Sequence, residues 1–156
     1  MSETLVGLHQ AMSALEQLKA DITIQATNLE QTQNDEFMDT IKNINEQVKI
    51  AYLFAVATTK LLEIYYISPE NRESIKQSFT IGNDILKLGA KTFSDDLESS
   101  IKELDTYVEK NKNVIKEQYA TEIKNYAELL RKFREAFTNF EEELNKHIAK
   151  FSLLLD

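Results

Sequence analysis

The stretch Leu130-Arg-Lys-Phe-Arg-Glu-Ala-Phe-Thr-Asn-Phe140 carries the reading of the fold. Leu130, Phe133, Phe137 and Phe140 recur by threes and fours with mainly charged and polar residues between them, so the apolar side chains share one face of an α-helix. The same steps run back through Tyr126, Ile123, Tyr119 and Ile115, and forward through Leu144, Ile148, Phe151 and Leu155. A helix cannot bury such a stripe by itself, so other helices must cover it.

Outward from there, the rest of the chain supplies matching stripes. Leu5, Leu8, Met12, Leu15, Ile22, Ala26 and Leu29 mark a first helix over about 2–31, with Ser2 as N-cap. The polar run Gln31-Thr-Gln-Asn-Asp-Glu36 breaks the period, and Asn34 or Asp35 caps a second helix over about 35–66. That helix begins amphipathic through Phe37, Ile41, Ile44 and Val48, then becomes apolar almost all round from Ile50 to Ile67. The segment has about the minimum length for a membrane span, but Lys60 and Glu63 each cost roughly 2.5–3.5 kcal/mol at a bilayer centre. The expectation is instead that 50–67 lies deepest in a bundle, with Lys60 and Glu63 paired at its rim.

Ser68-Pro69 is the clearest punctuation, because the residue before proline avoids helical geometry and proline suits the first position of the next helix. A third helix follows over about 69–110, with Ile75, Phe79, Leu86 and Phe93 on one face and Ile85 and Leu88 beside them. Gly82 and Gly89 fall on that same face, each costing about 1 kcal/mol relative to alanine in a helix interior. Either they admit a close-packed aromatic from a neighbour, or Gly89 precedes a break and a new helix capped near Asp95 and Asp96. A slip of phase after Glu109-Lys-Asn-Lys-Asn113 is read as a turn, giving a fourth helix over about 113–154. The alternative, one helix from Asp95 to Leu154, would span about 90 Å and need a second subunit to cover it. The expected fold is all-α: one domain, an antiparallel bundle of four long amphipathic helices with coiled-coil-like packing.

Composition agrees with this reading. The 156 residues include Gly 3, Pro 1 and Cys 0, with 42% hydrophobic and 28% charged residues, a profile of loop-poor helical chains. Absence of cysteine removes thiol catalysis, disulfides and cysteine-bearing zinc sites. A formal net charge of -8 repels nucleic acid, which is not expected as a partner. The first ten residues show no positive region ahead of an apolar run, so no secretory signal is expected and a cytoplasmic location is the default.

Chemistry is sparse. No metal ligand set is expected: Glu143 and His147 share a face without further ligands, and His147 reads as a boundary residue. No cofactor is implied, no specific small molecule is inferred, and no phosphate loop, nucleophile elbow or zinc-protease motif occurs, so the chain is not expected to be an enzyme. Adjacent acids such as Glu141-Glu142-Glu143 point to different helical faces and read as solvated surface. The tyrosines read as core-edge residues with wet hydroxyls.

The candidate partner or lipid contacts are the basic cluster Arg131, Lys132 and Arg134, together with Tyr65 and Tyr66. Arg131 has Glu128 and Glu135 within helical reach, and Arg134 has no acid four residues away. The functional expectation is a non-catalytic helical interaction or scaffold module that self-associates or binds a protein partner. Two alternatives stand: a membrane-active or lipid-surface protein that releases 50–67, and a ligand-sensing four-helix bundle.

Overall fold

The computed structural model describes residues 5–30 and 35–154, and Ser2, Asn34 and Leu155 lie outside that set. Among the described residues there are four α-helices and no strand: α1 (Val6–Glu30), α2 (Asp35–Ile67), α3 (Arg72–Lys110) and α4 (Glu117–Leu154). They form an antiparallel four-helix bundle. Each helix packs beside its neighbour in sequence, and α4 closes the ring against α1.

Cross-helix contacts fix the directions. Gly7 lies beside Glu143, and Gln25 Nε2 donates to the Glu122 carbonyl at 3.0 Å, so α1 and α4 run opposite ways. Arg134 Nε donates to the Ser94 carbonyl of α3 at 2.9 Å. Tyr126 OH donates to Asn45 Oδ1 at 2.6 Å, and Tyr66 OH meets His147 Nδ1 at 2.8 Å, which sets α2 parallel to α4.

The turn at Ser68 forms as its chemistry dictates. Ser68 is extended (φ -111°, ψ 102°), Pro69 opens a single 3-10 turn over Pro69–Asn71, and Asn71 Nδ2 donates to Ser68 Oγ at 3.0 Å. Arg72 reaches back to the Tyr65 carbonyl at 3.0 Å and lies over the Tyr65 ring, pinning the end of α2 to the start of α3. The second boundary is also a turn. Asn111 caps α3 through its backbone and side-chain nitrogens, both bonded to the Tyr107 carbonyl, and accepts from the amides of Val114 and Ile115. α4 therefore begins at Glu117 and is about 57 Å long at 1.5 Å per residue.

The core runs the length of α4. Ile123, Tyr126, Ala127, Leu130, Phe133 and Phe140 are completely enclosed, facing Leu8, Leu15, Ile22 and Leu29 of α1 and Leu97 and Leu104 of α3. Rings join across the seams: Phe93 meets Phe133 and Phe137, Tyr65 meets Phe151, and Phe37 stacks on Tyr107 at 4.3 Å.

Three expectations need correction. The segment 50–67 is not the deepest part of the bundle. Ala51, Ala55, Leu62 and Tyr65 are buried, but Ile50, Leu53, Leu61, Ile64 and Ile67 face outward. A helix in a four-membered ring has only one face turned inward, so an all-round apolar segment must leave its other face outside. Second, α3 is unbroken through Gly89 and Asp95, and a Cβ built at Gly82 or Gly89 meets nothing within 4 Å, so no neighbour's aromatic occupies the space they leave. Third, Tyr126 is enclosed rather than wet at its edge, because Asn45 satisfies its hydroxyl inside the bundle.

Candidate interaction site

Among the described residues, the α2–α3 face holds most of the large apolar side chains that the fold leaves exposed. On α2, Ile50, Leu53, Ala57, Leu61 and Ile64 are separated by three or four residues and line one side of the helix. That side lies away from the buried stripe of Ile41, Ile44, Val48, Ala51, Ala55 and Leu62. On α3, Ile81, Ile85 and Leu88 form a second exposed row, with Ile81 81% exposed and Ile85 75% exposed. Burying an isoleucine is worth about 1.5–3 kcal/mol, so these side chains forgo a large part of what a core would supply.

Between the two rows runs an apolar groove of about 330 Å³. Ile50, Ala51 and Phe54 form its α2 wall, Ile85 and Leu86 its α3 wall, and Gly89 and Ala90 part of its floor. The missing side chain at Gly89 keeps it open. Gly82 lies seven residues earlier on the same side of α3. The contrast with Gly7 is instructive, since a Cβ there would come within 2.5 Å of the Glu143 carboxylate. Gly7 faces the end of a side chain on the neighbouring α4, whereas Gly82 and Gly89 face no group of the chain itself.

The sequence-derived contacts lie elsewhere, and the structure scatters them. Arg131 pairs with Glu128 on its own helix and with Asp105 of α3. Arg134 is held by the Ser94 carbonyl and by Glu98 Oε2 at 3.3 Å. Its partner is across the helix interface, which spacing along α4 alone does not reveal. With Glu98, Lys102, Asp105 and Glu135, both arginines line an open cleft of about 620 Å³ whose charges largely answer one another. Lys132 is exposed. Tyr65 is buried under Phe151 and Arg72, so it is not available as a surface contact.

Tyr66 is half-buried and engaged with His147, which is itself buried rather than at the boundary. Burial lowers the His147 pKa first, and Lys150 and Lys146 lower it further against an opposing pull from Glu143. Burial raises Tyr66, with Tyr65 adding to the shift. In the neutral ring with its proton on Nε2, His147 Nδ1 accepts from the Tyr66 hydroxyl. Lys60 and Glu63 do pair, at 3.5 Å, and Glu63 also meets His9 Nε2 at 2.9 Å, tying α2 to α1. Among the described residues no group of three or more histidines, aspartates or glutamates is arranged to hold a metal ion.

Sequence reasoning missed the α2–α3 face as a site, although its signal was present. The all-round apolar character of 50–67 and the two glycines within one helical face were both legible, and what was missing was their adjacency. The chain matches no known protein-family model, and no curated protein or solved structure is significantly similar to it.

Proposed function

We propose that this chain is a non-catalytic helical interaction module that self-associates or binds a protein partner through its α2–α3 face. One observation carries the reading: two neighbouring helices hold a row of exposed isoleucines and leucines on either side of an apolar groove. Contiguous apolar surface of this extent on a soluble bundle marks a place where another molecule sits. The face has no acid, base or nucleophile set around the groove, which favours docking over chemistry.

A photo-crosslinking benzophenone residue at Ile81, introduced into the full chain in its own cells, tests this. The expected outcome is a protein adduct on irradiation that is absent when the probe stands at exposed Thr121 on α4. Adducts at both positions, or at neither, overturn the reading.

A second reading has its own support. α2 is, by length and composition, long and apolar enough to cross a membrane, and only 33% of its most apolar window is buried. In that reading the exposed half of 50–67 meets lipid, and the protein floats with neutral and anionic vesicles. Absence of flotation with both removes it.

A further inference from the structure

We infer that the occupant of the α2–α3 face is a second copy of this chain, in a two-fold dimer whose axis runs along the bundle and sets α2 of each copy against α3 of the other. The inference rests on reading that face as a docking surface and goes further by naming what docks.

Three observations carry it. The first is extent. Ile50, Leu53, Leu61, Ile64, Ile81, Ile85 and Leu88 leave between 40% and 81% of their surfaces exposed. Together they amount to on the order of 800 Å², about what each partner contributes to a standard stable interface.

The second is self-complementarity. A two-fold interface needs projections and recesses on the same patch, because each copy presents the same surface to the other. Here the recesses lie on α3, where Gly82 and Gly89 leave open space, and the projections on α2, where Leu53, Leu61 and Ile64 stand out. The two helices are antiparallel neighbours, and Ile50, Ala51 and Phe54 share the groove with Gly89 and Ala90, so at 1.5 Å per residue Leu53 lies within about one helical turn of the level of Gly89, and Leu61 within about one turn of Gly82. A half-turn about the bundle direction preserves these levels, so it sets Leu53 and Leu61 of each copy towards Gly89 and Gly82 of the other, twice over. Two glycines seven residues apart then have a use, since each lets a helix approach where a side chain would hold it off.

The third is charge. The chain as a whole carries -8, which opposes bringing two copies together over most of their surfaces. From Ile50 to Ile67 the only charged residues are Lys60 and Glu63, which pair with each other, and the exposed Asp84 and Lys87 beside the α3 row carry opposite signs. The α3 residues beyond the face turn acidic, with Asp95, Asp96 and Glu103 all exposed. The near-neutral patch is thus where a second acidic chain meets least repulsion. A lipid surface fits less well, because a recess floored by glycine and alanine suits an incoming helix rather than a headgroup layer.

The test is absolute mass by sedimentation equilibrium on the full chain across a wide concentration range, with Ile81→Asp, Gly89→Phe and Val114→Asp beside it. Circular dichroism and thermal melting check that each variant folds. The wild type is expected to be dimeric. Ile81→Asp and Gly89→Phe should each weaken the dimer at least about tenfold, and Val114→Asp, an exposed apolar position in the α3–α4 turn, should leave it unchanged.

Because the chain contains no cysteine, the pairing itself is open to single-cysteine mapping. A mixture of Leu53→Cys and Leu88→Cys proteins is expected to give the mixed disulfide, with none formed by Val114→Cys. A wild type that stays monomeric overturns the second-copy occupant. If the Ile81 probe still yields a protein adduct in cells, the docking face survives with a different partner; if it yields none, both fall. A dimer insensitive to Ile81→Asp and Gly89→Phe also overturns the inference, as does a monomer that floats with vesicles.

Discussion

The α1–α4 side and the α2–α3 side are built from helices of comparable apolar content, yet the cleft of about 310 Å³ between α1 and α4 is lined by Gln10, Asn139, Glu142 and Glu143 beside small residues, whereas the groove between α2 and α3 is apolar and flanked by exposed isoleucines and leucines. Where α1 meets α4, Leu8, Leu15, Ile22 and Leu29 interlock with Ile123, Leu130, Phe133 and Phe140, and all are fully or almost fully buried. Where α2 meets α3, small residues such as Ala51, Gly89 and Ala90 line the seam, while Ile50, Ile81, Ile85 and Leu88 are left outside. Large residues at the first seam spend their surface inside the chain. Small residues at the second leave a groove between the helices and do not cover the large ones beside them. The difference separates surface that holds the fold together from surface left over for another molecule.

Removing one large side chain from each side separates the two kinds of surface most strongly. Phe140→Ala deletes a fully enclosed ring and should cost about 3–5 kcal/mol in chemical denaturation. Ile81→Ala removes an aliphatic side chain that is 81% exposed and should change monomer stability by less than about 0.5 kcal/mol. Comparable losses at the two positions would mean that the α2–α3 face belongs to the folding core after all.

Next in size is a gain. Gly82 and Gly89 are interior positions of α3 with open space where a Cβ would go, so the double replacement by alanine should stabilise the isolated fold by up to about 2 kcal/mol. The same replacement should weaken self-association, and opposite movement of the melting temperature and the dimer constant is the signature to look for. A fold that loses stability would show that the glycines serve the bundle itself. Smaller again is Tyr126→Phe, which removes the hydroxyl bonded to Asn45 at 2.6 Å and should cost about 1 kcal/mol with the packing of the ring retained.

These contrasts also show what the sequence could and could not disclose. The stripe from Ile123 to Phe151, the Ser68-Pro69 boundary and the slip near Asn111 are local patterns, and local patterns translate directly into helices and turns. The depth of 50–67 was misjudged because hydrophobicity reports what a segment would gain by burial, whereas ring geometry decides how much of it is buried. Arg134 and Glu98 lie 36 residues apart, and Tyr66 and His147 lie 81 apart. No spacing rule reaches that far, so the pairing of Arg131 with Glu128 was legible along one helix while the bonds of Arg131 to Asp105 and of Arg134 to Glu98 across the seam were not. The α2–α3 face likewise depends on two rows meeting side by side.

The smallest effect probes the bundle interior, through His147. Burial and the nearby Lys150 and Lys146 hold its pKa below the ordinary 6.5, so the folded protein keeps the ring neutral at pH values where the unfolded chain protonates it. The unfolded state then binds more protons, and this contribution to stability is present above about pH 6.5 and is lost as pH falls through 6.5 towards the lower folded value. Glu141 acts in the opposite sense: burial, helped by Glu142, raises its pKa above 4.5, so its contribution is present below 4.5 and fades as pH rises through the raised value. A His147→Gln variant keeps Glu141 and an amide able to meet the Tyr66 hydroxyl, so the difference between the two proteins isolates the imidazole. Urea titrations at pH 7.5, 6.5 and 5.5 should show the wild type losing more stability on acidification than the variant. Parallel slopes would mean that His147 protonates as readily inside the bundle as outside it, and that burial does not hold the ring neutral.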